Sequence, residues 1–314
     1  MRSYGSRLSA LIVFVALSAG ACTSESSSPS TSDNAIDSVE SIAEQPSGTS
    51  GTSDQEATRD DIECDAETLG EDAAATFTVA HYVVDGRLGA VCYGEEDPTV
   101  VAAWDQLAAI APQGQLGDLT LFAGFEGDEN ADDTTLAFVN TLDDGGSLFQ
   151  MSINVSAARD DPAELLLTMA HEFSHVFTGL DTQLDRTEEA ADSCETYFNG
   201  EGCYLPDSLM FSWIVEFWGD GLIDEIDPRA EATIESGQAR CDSSPGFFGP
   251  YAASSPEEDF AESFSAYVFR IESATPEQQA KLDWIDGQAG LAEFRQRAVA
   301  AGLGPAENRF EQCG

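Results

Sequence analysis

The run Asp161-Pro162-Ala163-Glu164-Leu165-Leu166-Leu167-Thr168-Met169-Ala170-His171-Glu172-Phe173-Ser174-His175-Val176-Phe177-Thr178-Gly179 decides how the chain is read. It opens as helices open, with Asp161 at the cap, Pro162 at the first helical position and Glu164 three residues past the cap. Leu165, Leu166, Leu167, Met169, Ala170, Phe173 and Val176 supply apolar cover, so the spacing predicts a helix to about residue 178 with Gly179 as its stop. On such a helix His171 and His175 share one face, and both imidazoles reach a single ion. Glu172 stands beside them, placed to take a proton from water near that ion. The chain has 3 histidines in all, and the remaining one, His81, falls in a strand-like segment where a structural role is expected.

Two imidazoles leave a tetrahedral zinc ion in need of a third protein ligand. The run Pro256-Glu257-Glu258-Asp259-Phe260-Ala261-Glu262-Ser263-Phe264 offers Glu258 and Glu262 one turn apart on a second predicted helix, 256–271. With Glu258 on the metal, Glu262 is expected to accept the other ring N–H of a ligand histidine. Two alternatives stay open. Ser255-Pro256-Glu257-Glu258 is also a capping box, in which Glu258 only satisfies a backbone N–H. Asp181 or another acid is the other candidate for the third ligand.

His171-Glu172-Phe173-Ser174-His175 matches the HExxH signature of zinc metallopeptidases. Followed tens of residues later by a helical ExxxE, it resembles the gluzincin branch. Glu258-Asp259-Phe260-Ala261-Glu262-Ser263-Phe264 looks like the E-x-F-A-E-x-F stretch of the anthrax lethal factor-like peptidases and related bacterial zinc-binding metallopeptidase lipoproteins. The resemblance implies a zincin-like fold and one zinc ion per chain, held by His171, His175 and Glu258, with Glu172 as general base and Glu262 behind a histidine. In that family a tyrosine seven residues before the ligand glutamate lies beside the active site. Tyr251 has that offset, and the resemblance implies that it donates to the oxyanion. The likeness is close over 171–175 and 250–270 only, and nothing resembles the toxin's targeting domains. The residues from His171 to Asp181 also approach the metzincin pattern, but Thr178 stands where that pattern needs glycine.

Of the 314 residues, 13 are basic and 58 acidic, a net charge of −45. A field of that sign repels phosphate backbones and anionic lipid, which excludes nucleic acid as a partner and electrostatic docking to membranes. Residues 1–21 read as a signal peptide, and Leu17-Ser18-Ala19-Gly20-Ala21-Cys22 resembles the lipobox of bacterial lipoproteins, with Ala19 where leucine is usual. Lipidation at Cys22 is expected to anchor the protein on the outer face of the cell membrane. An ordinary signal peptide cut after Ala21 is the alternative, and either implies export. Residues 22–62, rich in Ser, Thr and acids, read as an extended tether, and 63–314 as the folded domain, expected to act as a monomer. The remaining cysteines, Cys64, Cys92, Cys194, Cys203, Cys241 and Cys313, imply three disulfides, with Cys194–Cys203 the plainest pair.

Strands are expected at 75–84, 119–122, 135–140 and 148–155, the last as an edge open to an extended peptide. Helices are expected at 207–218, 228–238, 256–271, 276–285 and 291–301, with 209–218 a core helix behind the site. Strands first and helices later indicate an α+β fold, a small sheet followed by the metal-binding helix and a mainly helical remainder. Asp128-Glu129-Asn130-Ala131-Asp132 has calcium-loop spacing; Asp133 and Val139 exclude an EF-hand, and a looser structural Ca²⁺ site is the expectation left. Together these features lead to an exported zinc endopeptidase acting on peptide or protein. The alternatives are a non-catalytic surface lipoprotein on the same scaffold, or a zinc hydrolase of a non-peptide envelope bond.

Overall fold

The structure, a computed structural model, describes residues 62–70, 75–127, 135–188, 190–219 and 221–313. The signal peptide, Cys22, the tether up to residue 61 and the loop 128–134 with its calcium-like spacing lie outside the described residues. No described helix is long and apolar enough to cross a membrane.

A short helix α1 (Ala66–Leu69) precedes a hairpin of β1 (Ala75–Val84) and β2 (Arg87–Gly94). Helix α2 (Pro98–Ile110) and the single turn α3 (Gln113–Leu116) lead to β3 (Leu119–Gly127), β4 (Ala137–Thr141) and β5 (Phe149–Asn154). These five strands form one sheet in the order β2-β1-β3-β5-β4, parallel only between β3 and β5. Strand 148–155, expected at an edge, is therefore internal. The turn at Asp143 to Gly146 folds β4 back onto it as a hairpin, Thr141 pairing with Phe149, while β3 takes its other side. The edges are β2 and β4.

Helix α2 sits between strands, so strands and helices are less segregated than expected. Asp97 caps it through the Thr99 N–H at 2.7 Å, and Pro98 begins it. One face of the sheet packs Val79, Phe122, Met151 and Ile153 into the main core with the helices. The other face carries a smaller cluster around Phe77, Leu121 and Phe125, covered by Leu69. With both faces covered, β3 and β5 are buried along most of their length, and the alternating polar residues of β5, Gln150, Ser152 and Asn154, are buried as well.

After the sheet come α4 (Val155–Asp160), α5 (Pro162–Gly179), a two-stranded ribbon of β6 (Leu184–Asp185) and β7 (Cys203–Tyr204), and α6 (Leu209–Phe217). The chain continues through α7 (Ile234–Ser243), α8 (Pro256–Phe269), α9 (Pro276–Asp286) and α10 (Leu291–Ala300). Helix α7 starts at 234 instead of 228, because Thr233 and Ser236 form a reciprocal capping box that fixes the first turn there. Helix α6 buries Met210, Trp213 and Ile214 and leaves Val215 exposed, so it is a half-buried helix backing α8. Trp213 meets Phe260 of α8 edge-on at 5.2 Å. The disulfides are Cys64–Cys92, Cys194–Cys203 and Cys241–Cys313.

Candidate metal centre

Helix α5 forms as its sequence dictates. The Asp161 side chain accepts the Glu164 N–H at 3.1 Å, Pro162 occupies the first turn, and residues 165–174 are all buried. A helix with that much apolar surface is stable only inside the protein, which places His171 and Glu172 away from bulk water. Helix α8 packs along it. Phe177 meets Phe260 at 6.2 Å and Phe264 at 5.3 Å, and Ser265 Oγ donates to the Leu167 carbonyl at 3.2 Å. This packing sets the first turn of α8 against the fourth turn of α5.

There His171, His175 and Glu258 converge. His171 Nε2 lies 2.9 Å from Glu258 Oε2, His175 Nε2 lies 3.7 Å from the same oxygen, and the two ring nitrogens are 3.3 Å apart. A tetrahedral ion with bonds of about 2.0–2.1 Å has ligand–ligand edges of about 3.3 Å. The triangle of donors matches that size, and the donor types, two imidazoles and a carboxylate, are those zinc takes. The residues therefore fit a zinc ion. Glu258 does not serve the capping role: Ser255 Oγ accepts the Glu258 N–H at 3.2 Å, but the Glu258 side chain turns to the histidines. Asp181 is exposed and not in this group, its N–H spent on the Gly146 carbonyl at 3.2 Å.

The charges in the group are strongly perturbed. Burial drives His171 below its ordinary value, against the pull of Glu258. Burial also opposes a charge on His175, but Glu258, with Glu172 and Glu257 behind it, outweighs that and pushes it up to about 9. Burial alone would raise Glu258, yet His175 and His171 together hold it well below the usual carboxylate range. A carboxylate that stays ionised next to two imidazoles is a ready cation ligand.

Glu172 is fully buried, neither oxygen has a hydrogen-bond partner, and burial pushes it up to about 8. A carboxylate left without any protein donor, beside the donor triangle, is available to water. Tyr251 sits on the turn between α7 and α8, its ring 6.0 Å from that of His171 and its buried hydroxyl unpartnered. The turn is held by close approach of α7: a Cβ on Gly237 would stand 1.8 Å from the Pro250 carbonyl.

Glu262 departs from expectation. One turn along α8 from Glu258, its carboxyl lies by the backbone of Ala252 with Oε2 buried and unpartnered, and no hydrogen bond joins it to His171. The physical reason is placement, since α8 carries this position over the turn that holds Gly249 and Ala252, a Cβ on Gly249 standing 3.4 Å from Glu262 Oε2. Burial first, then Glu258 and Asp259, raise its carboxyl well above the usual range. His81 is buried in β1 with Nδ1 3.1 Å from the Gly89 carbonyl, a structural position.

Sequence reasoning passes over two groups beside the centre. Tyr204 on β7 lies beside Glu257, the residue before the metal-facing glutamate, and burial pushes Glu257 up to about 7. Asp259, the residue after it, pairs with Lys281 of α9 at 2.5 Å and accepts the Trp218 indole N–H at 2.9 Å. The signal for the second was present: Lys281 is the chain's only lysine and sits in an otherwise ordinary amphipathic helix.

No protein-family model matches the chain, and no curated protein matches it. Among solved structures it is similar to a candidate zinc-binding metallo-peptidase from Bacteroides caccae, with 15% identity and a TM-score of 0.27, over 63% of this chain. The match spans 62% of the length of that structure's chain.

Proposed function

We propose that this chain is a zinc-dependent peptidase whose metal is held by His171, His175 and Glu258. The observation that carries the reading is the donor triangle of 2.9, 3.3 and 3.7 Å next to a buried carboxylate, Glu172, that no protein group satisfies. Zinc, when bound, supplies Lewis acidity that polarises a carbonyl and acidifies water.

The chain's own residues supply the rest. Glu172 accepts the proton of the attacking water on a carboxylate oxygen and passes it to the departing amine nitrogen. Tyr251 donates its free hydroxyl to the oxygen on which negative charge develops. The apolar packing of α5 and α8 excludes bulk water, which strengthens both contacts. Three disulfides support export to an oxidising compartment, and the anchor at Cys22 completes the proposal of a membrane-tethered enzyme facing outward.

The test is hydrolysis of a mixed peptide library by the zinc-loaded chain. Wild type should cleave it, while Glu172→Gln should retain zinc and lose activity by several orders of magnitude. A Glu172→Gln protein as active as wild type removes the base from the scheme. Cleavage of envelope material without any amine release identifies a non-peptide hydrolase instead.

A further inference from the structure

The segment after α10, residues 301–313, has no helix or strand, yet it is tied along its length. Arg270 donates to the Leu303 carbonyl, and the Ala306 N–H donates to the Phe269 carbonyl at 2.9 Å. The Phe310 ring meets Phe248 at 5.9 Å, and Cys313 is cross-linked to Cys241 of α7. Arg309 adds a polar tie: its Nη1 lies 2.6 Å from Asp161 Oδ2 and 2.7 Å from Glu164 Oε2. Both acids belong to the opening of α5, so the segment is clamped to the helix that carries His171.

This route brings Arg309, Phe310 and Glu311 to the lining of a cleft that His171 and Tyr251 also line. Leu167 and Ile234 supply further apolar lining. The Arg309 guanidinium is already shared between two carboxylates, and Phe310 is the apolar side chain that this segment contributes to the cleft.

We propose that Phe310 is a specificity-determining residue, limiting the size of the substrate side chain that lies beside His171, and that Arg309 and the Cys241–Cys313 cross-link position it. The proposal rests on the peptidase reading above and adds to it the element that sets selectivity. An irregular segment keeps no fixed wall by itself, because its backbone entropy opposes a single position. Two carboxylate contacts and a covalent tie to α7 remove that freedom on both sides of Phe310. A rigid apolar wall then discriminates by size, since a side chain too large for the cleft has to displace the segment against those ties.

The experiment uses the full chain, zinc-loaded and carrying Glu172→Gln so that peptide is not consumed. Affinities are measured by fluorescence anisotropy for labelled peptides of one backbone, with Ala, Leu or Trp placed at each position in turn. The expected result is one position at which the parent protein disfavours Trp. There Phe310→Ala should shift the Trp-to-Ala affinity ratio by about tenfold towards Trp. The Cys241→Ser/Cys313→Ser double variant should shift it in the same direction at the same position, Phe310→Tyr should preserve the parent ratio, and zinc should stay at one per chain in all. Unchanged ratios at every position in both variants, with peptides still bound, overturn the proposal alone. If no peptide binds parent or variants, the peptidase reading falls and takes this proposal with it.

Discussion

Lys281 Nζ stands 2.5 Å from Oδ1 of Asp259, the residue that follows Glu258, and the pair is buried. The lysine is 4% exposed and the aspartate 0%. The ammonium also lies 4.4 Å from the Phe247 ring centroid, and the other aspartate oxygen takes the Trp218 indole N–H. Burial pushes Asp259 up and Lys281 down, and their mutual attraction opposes it in both. Consecutive side chains on a helix point about 100° apart. Fixing Asp259 towards α9 therefore fixes Glu258 towards α5, and the pair sets the rotation of the helix that completes the donor triangle.

Removing one partner of such a pair strands the other charge. Lys281→Met should lower unfolding free energy by about 3–5 kcal/mol in urea titrations. Adding Asp259→Asn, which keeps an acceptor for Trp218, should restore most of the loss. A single variant less than about 1 kcal/mol below wild type means the pair does not hold α8.

The ligand set is open to direct counting. Glu258→Ala should abolish stoichiometric zinc after gel filtration, by mass spectrometry of the metal, because two imidazoles bind it far less tightly. Asp181→Ala should retain one zinc per chain, since that carboxylate is exposed and separate from the group. The reverse pattern would transfer the third ligand to Asp181.

Gly237→Ala should destabilise out of proportion to one methyl group. The added carbon meets the Pro250 carbonyl at 1.8 Å and the Ser254 nitrogen at 2.8 Å, both backbone, so α7 has to move off the turn carrying Tyr251. The expected cost is about 1–3 kcal/mol in thermal unfolding. An unchanged midpoint would show that the turn yields freely.

Acid should reveal the Arg309 clamp. The Asp161 carboxyl lies below its ordinary value of 3.8 because Arg309 donates to it, aided by the Glu164 N–H. A lowered carboxylate contributes stability above its unfolded value and loses it as pH falls through the folded one. Wild type should therefore exceed Arg309→Gln in stability at neutral pH, by about 1 kcal/mol or less for so exposed a pair, with the gap closing as pH falls below the ordinary carboxyl value. A gap that widens on acidification would contradict the assignment.

The mixed α+β class was legible from the order of strand-like and helical runs, and the α5 helix and the facing of His171 and His175 from a periodicity within about twenty residues. Cap, proline and apolar spacing are local, and so is a four-residue separation between imidazoles. Helix α2 carries the same Asp-Pro opening at Asp97-Pro98, but it lies among strand-like runs and does not stand out from them. The sequence could name Glu258 as a candidate, yet it could not choose between ligand and cap, since both need the same residue at the same helical position. Tertiary packing decided that: Phe177 against Phe260 and Phe264 sets α8 beside α5, and the carboxylate turns to the rings. The same packing set Glu262 over the turn before α8, put β4 outside β5, chose one of 15 cysteine pairings, and brought Arg309 and Phe310 to the cleft. Such contacts join residues far apart in the chain, and their geometry depends on which surfaces pack together rather than on the order of residues along either helix.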